Sequence, residues 1–264
     1  MTRRIVFACS GGADNLAAIP QLAAQFDAEV IALTLDVGQG RELDGIRQAA
    51  LAAGAVRAHV LDTREEFARD CVAASIGDTS YTSGHNLTRA LIARRLIEIA
   101  RIEGAGVVAH GGDEEDQVEI EAAVHVLDPS IRVIAAHAEC ASLLHSVHTT
   151  LWERATEDAS MSTPRPEPDS PARIELSFEA GLPVSVNGIP MSLRELIESI
   201  STIAGTHGVG RVIDTSGAAV HAPAAVVLQA AHDALGAEAV SASVATVCLE
   251  LFKGQHRVLS TRHS

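Results

Sequence analysis

The sequence predicts an α/β protein, a doubly wound parallel sheet followed by a smaller α+β part. In the first half, near-continuous apolar runs alternate with helical spacing, as strands buried on both faces alternate with the helices that cover them. The first such run breaks at Ser10-Gly11-Gly12 and passes directly into helical spacing. After a Pro/Ser/acid stretch, hairpin-like signals replace this alternation.

The elements follow in order. Residues 4–9 are a short apolar run, and 16–26 have helical spacing. Residues 29–37 (EVIALTLDV) are apolar and β-branched and end at Gly38-Gln39-Gly40. Residues 44–53 are Ala-rich and helical, and 56–61 are a third strand. Residues 62–66 place acids in a helical first turn. Residues 87–102 are an amphipathic helix, and 105–109 and 131–135 are further buried strands. Ligands of such sheets bind beyond the carboxyl ends of the strands. The turns to watch are therefore 10–15, 38–40 and 110–116.

Periodicity fades over 137–172, and 161–172 (MSTPRPEPDSPA) reads as a linker. Residues 173–179 and 182–186 read as a hairpin followed by Asn187-Gly188. Ser192, with Glu195 three residues on, opens a helix over 192–205. A helix over 222–235 and strands over 241–252 and 256–259 complete the chain. The expected division is 1–136, a connection over 137–172, and 173–264.

Composition excludes several classes of function. In 264 residues, 47% are hydrophobic and 20% charged, which suffices for a buried core and argues against disorder. Aromatics are only 3%, which argues against platforms that stack single-stranded nucleic acid. Asp+Glu number 34 against 20 Lys+Arg, a net charge of -14, so no nucleic-acid partner is expected. No apolar run approaches the roughly 18 residues of a membrane span, and no membrane partner is expected. Residues 1–8 are basic then apolar, with too short an apolar part for a signal peptide. Cys9, Cys71, Cys140 and Cys248 are widely spaced with no CxxC, which reads as free thiols in a reducing cytoplasm. There is no HxH or HExxH pair for a His-bound metal.

The first turn carries the clearest chemistry. Two consecutive glycines let Ser10-Gly11-Gly12 bend tightly with main-chain amides outward, and the following helix adds positive potential. Ser10 adds a hydroxyl donor. Asp14 falls in the first helical turn, where it can cap amides or hold Mg²⁺. The turn is neither a Walker A loop nor GxGxxG. A strand–SGGxD–helix at the start of the chain favours phosphate over a bare helix entry.

On these residues the chain resembles the adenine-nucleotide α-hydrolase, or pyrophosphatase-loop, superfamily, which is Rossmann-like. It more closely resembles the argininosuccinate synthase family. The matching segments are EVIALTLDVGQG (29–40), DTREEF (62–67), LTRALIARR–IEIA (87–100), VVAHG–DQV–IE (107–121), NGIPMSLRELI (187–197) and IAGTHGVGR (203–211). The resemblance implies an ATP domain followed by a synthetase-type domain, with ATP and Mg²⁺ as cofactors. It also implies a reaction in which a ureido oxygen attacks the α-phosphorus of ATP, pyrophosphate leaves, and an amine then displaces AMP. It places ATP against Ala8, Cys9, Ser10, Gly11, Gly12, Asp14, Asn15, Leu35, His110 and Gly111, with Asp14 and Asp116 as the catalytic carboxylates. It places the substrates, small amino-acid-like or amine-bearing molecules, against Tyr81, Asn86, Arg89, Glu115, Asp116, Glu119 and Ser146.

The departures from the family are specific. The family's Asp-Thr-Ser is here Asp14-Asn15-Leu16, and a usually small adenine-side residue is Leu35. The citrulline-binding Tyr aligns with Tyr81 and the matching Ser with Asn86, while the following Arg remains as Arg89. The third turn is shorter and acidic: its Lys is gone, its Asn aligns with Glu115, and the Arg that grips the citrulline carboxylate aligns with Glu119. A carboxylate there reverses the sign of the interaction. Ser146 aligns with one citrulline-binding Ser, but the second aligns with Ala155. The resemblance ends before the family's carboxy-terminal arm, which leaves self-association open.

The expectation is therefore an AMP-forming ligase acting on substrates other than citrulline and aspartate. The alternative is a catalytically impaired nucleotide-binding relative, a pseudoenzyme or a subunit of a complex. A tRNA-modifying member of the superfamily is disfavoured by the charge of -14 and by Cys9, which lies in an expected strand as a packed thiol.

Overall fold

The structure, a computed structural model, describes residues 3–40, 43–76, 84–112, 114–136, 150–155, 168–213, 219–239 and 244–263. The chain divides into two compact units, Met1–Thr63 with Leu87–Val147, and Arg64–Asn86 with His148–Ser264.

The first unit contains β1 (Arg3–Ala8), α1 (Ala13–Phe26), β2 (Ala28–Asp36), α2 (Leu43–Ala52) and β3 (Arg57–Asp62). Next come α3 (Arg64–Glu66), a π-helical turn (Phe67–Val72) and α4 (Ala73–Ser75), all within the second unit. The chain then forms α5 (Gly84–Glu103), β4 (Val107–His110), α6 (Glu114–Leu127) and β5 (Arg132–Ala135).

The five strands are parallel in the order β3-β2-β1-β4-β5. Side chains alternate across β1, so Ile5 and Phe7 enter one core while Val6 enters the other. Ile5 and Phe7 share their cluster with Ile19 and Leu22 of α1 and Ala50 of α2. Val6 shares the opposite cluster with Leu96 and Ile97 of α5 and Ile120 and Val124 of α6. Each of the Ile, Leu, Val and Phe side chains among them contributes roughly 1.5–3 kcal/mol. The chain thus leaves β1 toward one face and β4 toward the other, and the turns after β1 and β4 flank the topological switch point.

At the amino ends of the strands, Glu103 closes α5 as a buried carboxylate. Its Oε2 accepts from Arg57 at 2.7 Å, and its Oε1 lies 2.8 Å from His59 Nε2. Burial alone would raise its pKa, but the bonds from His59 and Arg57 outweigh burial and hold it below the usual carboxylate value.

The second unit is α+β. It contains β6 (Arg154–Ala155), β7 (Ala172–Glu179), β8 (Leu182–Val186), β9 (Ile189–Pro190), α7 (Leu193–Thr206), β10 (Arg211–Ile213) and β11 (Ala219–His221). It ends with α8 (Pro223–Ala239), β12 (Ala245–Phe252) and β13 (Gln255–His263). An antiparallel sheet runs β13-β12-β7-β8-β9, and a smaller one β10-β11-β6. Inward residues of β7 and β12 alternate, with Ile174, Leu176, Phe178, Val247, Leu249 and Leu251 buried. The expected capping box forms: Ser192 Oγ accepts from Glu195 N–H, and Ser192 N–H donates to Glu195 Oε2 at 2.9 Å.

Several boundaries differ from expectation. Helix α1 begins at Ala13, three residues early, because polar Asp14 and Asn15 of its first turn hide the period. Strand β13 extends well beyond 256–259, since it is exposed along nearly its whole length and shows no buried face. No helix among the described residues is long and apolar enough to cross a membrane.

Candidate functional site

The first turn is fixed before it bends. Cys9 N–H donates to Leu33 O at 2.8 Å, and Thr34 Oγ1 donates to Cys9 O at 2.8 Å. Gly11 then takes φ +78°, and a Cβ there would lie 2.6 Å from Ile46 Cγ2 of α2. Only glycine meets both demands without strain. Cys9 is 3% exposed, and burial pushes its thiol pKa up despite a bond from the Gly11 amide.

Gly12 is the N-cap of α1, extended at φ -69° and ψ 156°, and as glycine it has no side chain with which to cap the helix. The first intrahelical bond is Leu16 N–H to Gly12 O at 3.0 Å, so the amides of Ala13, Asp14 and Asn15 precede the ladder at the carboxyl end of β1. Such amides, with the helix dipole, suit an anion. Leu16 is partly buried against the core under α1, and Leu35 is partly buried against the opposite core.

The second turn is braced by its own side chains. Asp36 Oδ1 accepts from Gly38 N–H at 2.9 Å. Gln39 Oε1 accepts from Val37 N–H, and its amide nitrogen donates to Leu35 O, both at 2.8 Å. Thr63 Oγ1 ties Asp36 O to the end of β3 at 2.8 Å. The motif DVGQG thus acts through self-bracing, a role not apparent from the residue types alone.

The third turn follows β4. His110 is 2% exposed, and its Nδ1 accepts from Gly112 N–H at 3.1 Å. The neutral ring therefore carries its proton on Nε2. A Cβ on Gly111 would lie 3.1 Å from Asn15 Oδ1, so the first and third turns touch across the switch point. A Cβ on Gly112 would lie 2.5 Å from Asp116 Oδ2, so the Asp116 carboxylate rests on the turn.

Arg89 of α5 reaches this carboxylate. Its Nε donates to Asp116 Oδ1 at 2.6 Å, and its Nη1 lies 2.9 Å from Glu119 Oε2. The side chains of Arg89 and Asp116 are each 6% exposed, and that of Glu119 is 51% exposed. Burial opposes the guanidinium's charge, but bonds to Glu119 and Asp116 outweigh it and push the Arg89 pKa above its ordinary value. Asp116 and Glu119 lie one turn apart on α6, and Arg89 comes from another helix, so the triad is invisible to local pattern. Asn86 lies in the first turn of α5. Tyr81 and Ser146 lie outside the described residues, as does the side chain of Glu115.

Comparison with known proteins gives a consistent result. The profile of the arginosuccinate synthase N-terminal HUP domain matches residues 4–146, and that of the arginosuccinate synthase C-terminal domain matches residues 134–255. The chain is 34% identical over 284 residues to an argininosuccinate synthase of Thermoanaerobacter sp. (strain X514), spanning 88% of this chain and 69% of that protein. It is 38% identical over 280 residues to the argininosuccinate synthase of Streptococcus gordonii (strain Challis), spanning 87% and 70%. A third, from Listeria monocytogenes serotype 4a (strain HCC23), is 35% identical over 283 residues, spanning 88% and 70%. With two profiles in sequence and relatives matched over 87–88% of this chain, the chain belongs to the argininosuccinate synthase family.

Proposed function

We propose that the chain is an ATP-dependent, AMP-forming ligase whose substrates differ from citrulline and aspartate. The nucleotide half rests on family membership and on the glycine-capped start of α1 beside the switch point. The change of substrate rests on one observation: Arg89 is buried between Asp116 and Glu119.

In this reading the triphosphate lies against Ala8 to Asn15, with the amides of Gly12 and the first turn of α1 toward its oxygens. Leu35 and the His110-Gly111 edge flank the nucleotide. A ureido or carboxyl oxygen attacks the α-phosphorus, forming an O–P bond as the bond to pyrophosphate breaks. The amine lone pair then attacks the activated carbon, a C–N bond forms, AMP leaves with the C–O electron pair, and the amine loses a proton. The chain contributes position and oriented dipoles, with no covalent nucleophile required.

Mg²⁺ is commonly held by one or two carboxylates plus substrate phosphates, and Asp14, half-buried in the first turn of α1, fits that donor set. When bound there, it would neutralise charge on the leaving pyrophosphate. In this reading Asp116, paired with Arg89 and resting on the third turn, is the second carboxylate of the reaction and orients the amine. Tyr81, Asn86, Glu115 and Ser146 complete the substrate side in this reading.

The test is exchange of labelled pyrophosphate into ATP, dependent on an added acceptor and lost in Asp14→Ala. The second reading, a nucleotide-binding relative without ligase activity, is favoured by Leu16, a leucine packed against the core that has no hydroxyl to donate. ATP binding without exchange on any ureido, guanidino or carboxylate compound selects it.

A further inference from the structure

We propose that Glu119, through its bond to Arg89, sets the charge this site admits, so that the substrate lying along α6 presents an ammonium or guanidinium group and no carboxylate. The proposal deepens the ligase reading, on which its activity test depends. Its binding test does not.

The argument starts from place. Helix α6 follows the third turn at the carboxyl end of β4, where ligands of this sheet bind. Asp116 lies directly on that turn, at Gly112. Glu119 is three residues further and so shares its flank of the helix.

The charges decide what can approach. Arg89 commits Nε to Asp116 at 2.6 Å and Nη1 to Glu119 at 2.9 Å. Among the described residues, two carboxylates face this one guanidinium, a net negative charge. An incoming carboxylate would have to displace one of them from a guanidinium that is 6% exposed, and would leave the displaced acid beside it. An incoming cation meets Glu119, whose side chain is 51% exposed, and needs no rearrangement of the buried pair. Arg89 thus holds Glu119 in place and acts as a positioning residue. Glu119 is the group that faces the substrate.

Two probes separate the cases, L-citrulline and (4-aminobutyl)urea. They share the ureido group and the amine-bearing chain and differ by the carboxylate. The intact protein, loaded with ATP, is titrated with each by calorimetry, and each is offered in the pyrophosphate exchange assay. The expected result is tighter binding and a lower KM for (4-aminobutyl)urea. Glu119→Gln should reduce that preference about tenfold, the scale of one charge-assisted hydrogen bond, and should act through KM. Glu119→Asp, which keeps the charge on a shorter arm, should retain most of it. Equal or stronger binding of citrulline, binding of neither probe, or an unchanged preference in Glu119→Gln would overturn the proposal. Selective binding of (4-aminobutyl)urea without exchange supports the charge assignment and overturns the ligase reading instead.

Discussion

Arg89 Nε and Asp116 Oδ1 lie 2.6 Å apart with both side chains buried, and this ion pair joins α5 to the start of α6 beside the third turn. Removing one member takes a buried charge-assisted bond from the other. Asp116→Ala should cost about 3 kcal/mol, the lower end of the range for a broken buried pair, because Glu119 still contacts Arg89. The double change Arg89→Met with Asp116→Leu should cost markedly less than the sum of the single changes. Chemical denaturation of the unaltered chain, Asp116→Ala, the two single changes of the cycle and the double change checks both statements, and strict additivity would show that the pair is not coupled.

Gly11 should tolerate no side chain. Gly11→Ala meets both φ +78° and the Ile46 side chain, so a loss of about 1–3 kcal/mol is expected from strain and overlap together. Adding Ile46→Ala should relieve the overlap but not the backbone term. The measurement is the thermal midpoint together with ATP affinity. A stable Gly11→Ala protein with full ATP affinity would mean that the bend is not needed.

Much of this was legible in the sequence, for physical reasons. The parallel sheet showed itself because its strands are buried on both faces and read as unbroken apolar runs. Ser192 and Glu195 foretold their helix start because a capping box is local. The short strands β6, β10 and β11 gave no signal, since two or three residues carry no period and their pairing is long-range. Glu119 was legible as a reversed charge but not as the partner of Arg89, because that contact joins two helices across 30 positions of sequence.

Acid should expose the Glu103 cluster. Its folded pKa is lower than its ordinary value of 4.5, so protons favour the unfolded chain there. The stability it contributes is present above that value and is lost as pH falls through the folded pKa. Glu103→Gln should therefore lower stability at neutral pH and flatten the acid limb of the stability curve. Denaturation midpoints at a series of acidic pH values check this. An acid limb of unchanged slope in the variant contradicts it.

Asp128, at the end of α6, should titrate low. Bonds from Ser130 Oγ at 2.6 Å, from Arg101 and from the Ser130 amide hold its carboxyl at about 2. Ser130→Ala removes the largest of these contributions and should move the midpoint upward. A carboxyl-carbon NMR titration reads it directly, and an ordinary carboxylate midpoint in the unaltered protein would show that the turn does not persist in solution.

The nucleotide assignment underlies all the chemistry proposed for this chain, and a crystal structure with ATP and Mg²⁺ tests it most directly. The expected result is a triphosphate within hydrogen-bond distance of main-chain amides between Ser10 and Asn15, with Asp14 toward the metal. A nucleotide bound elsewhere, or that bend left without one at saturating ATP, would contradict it.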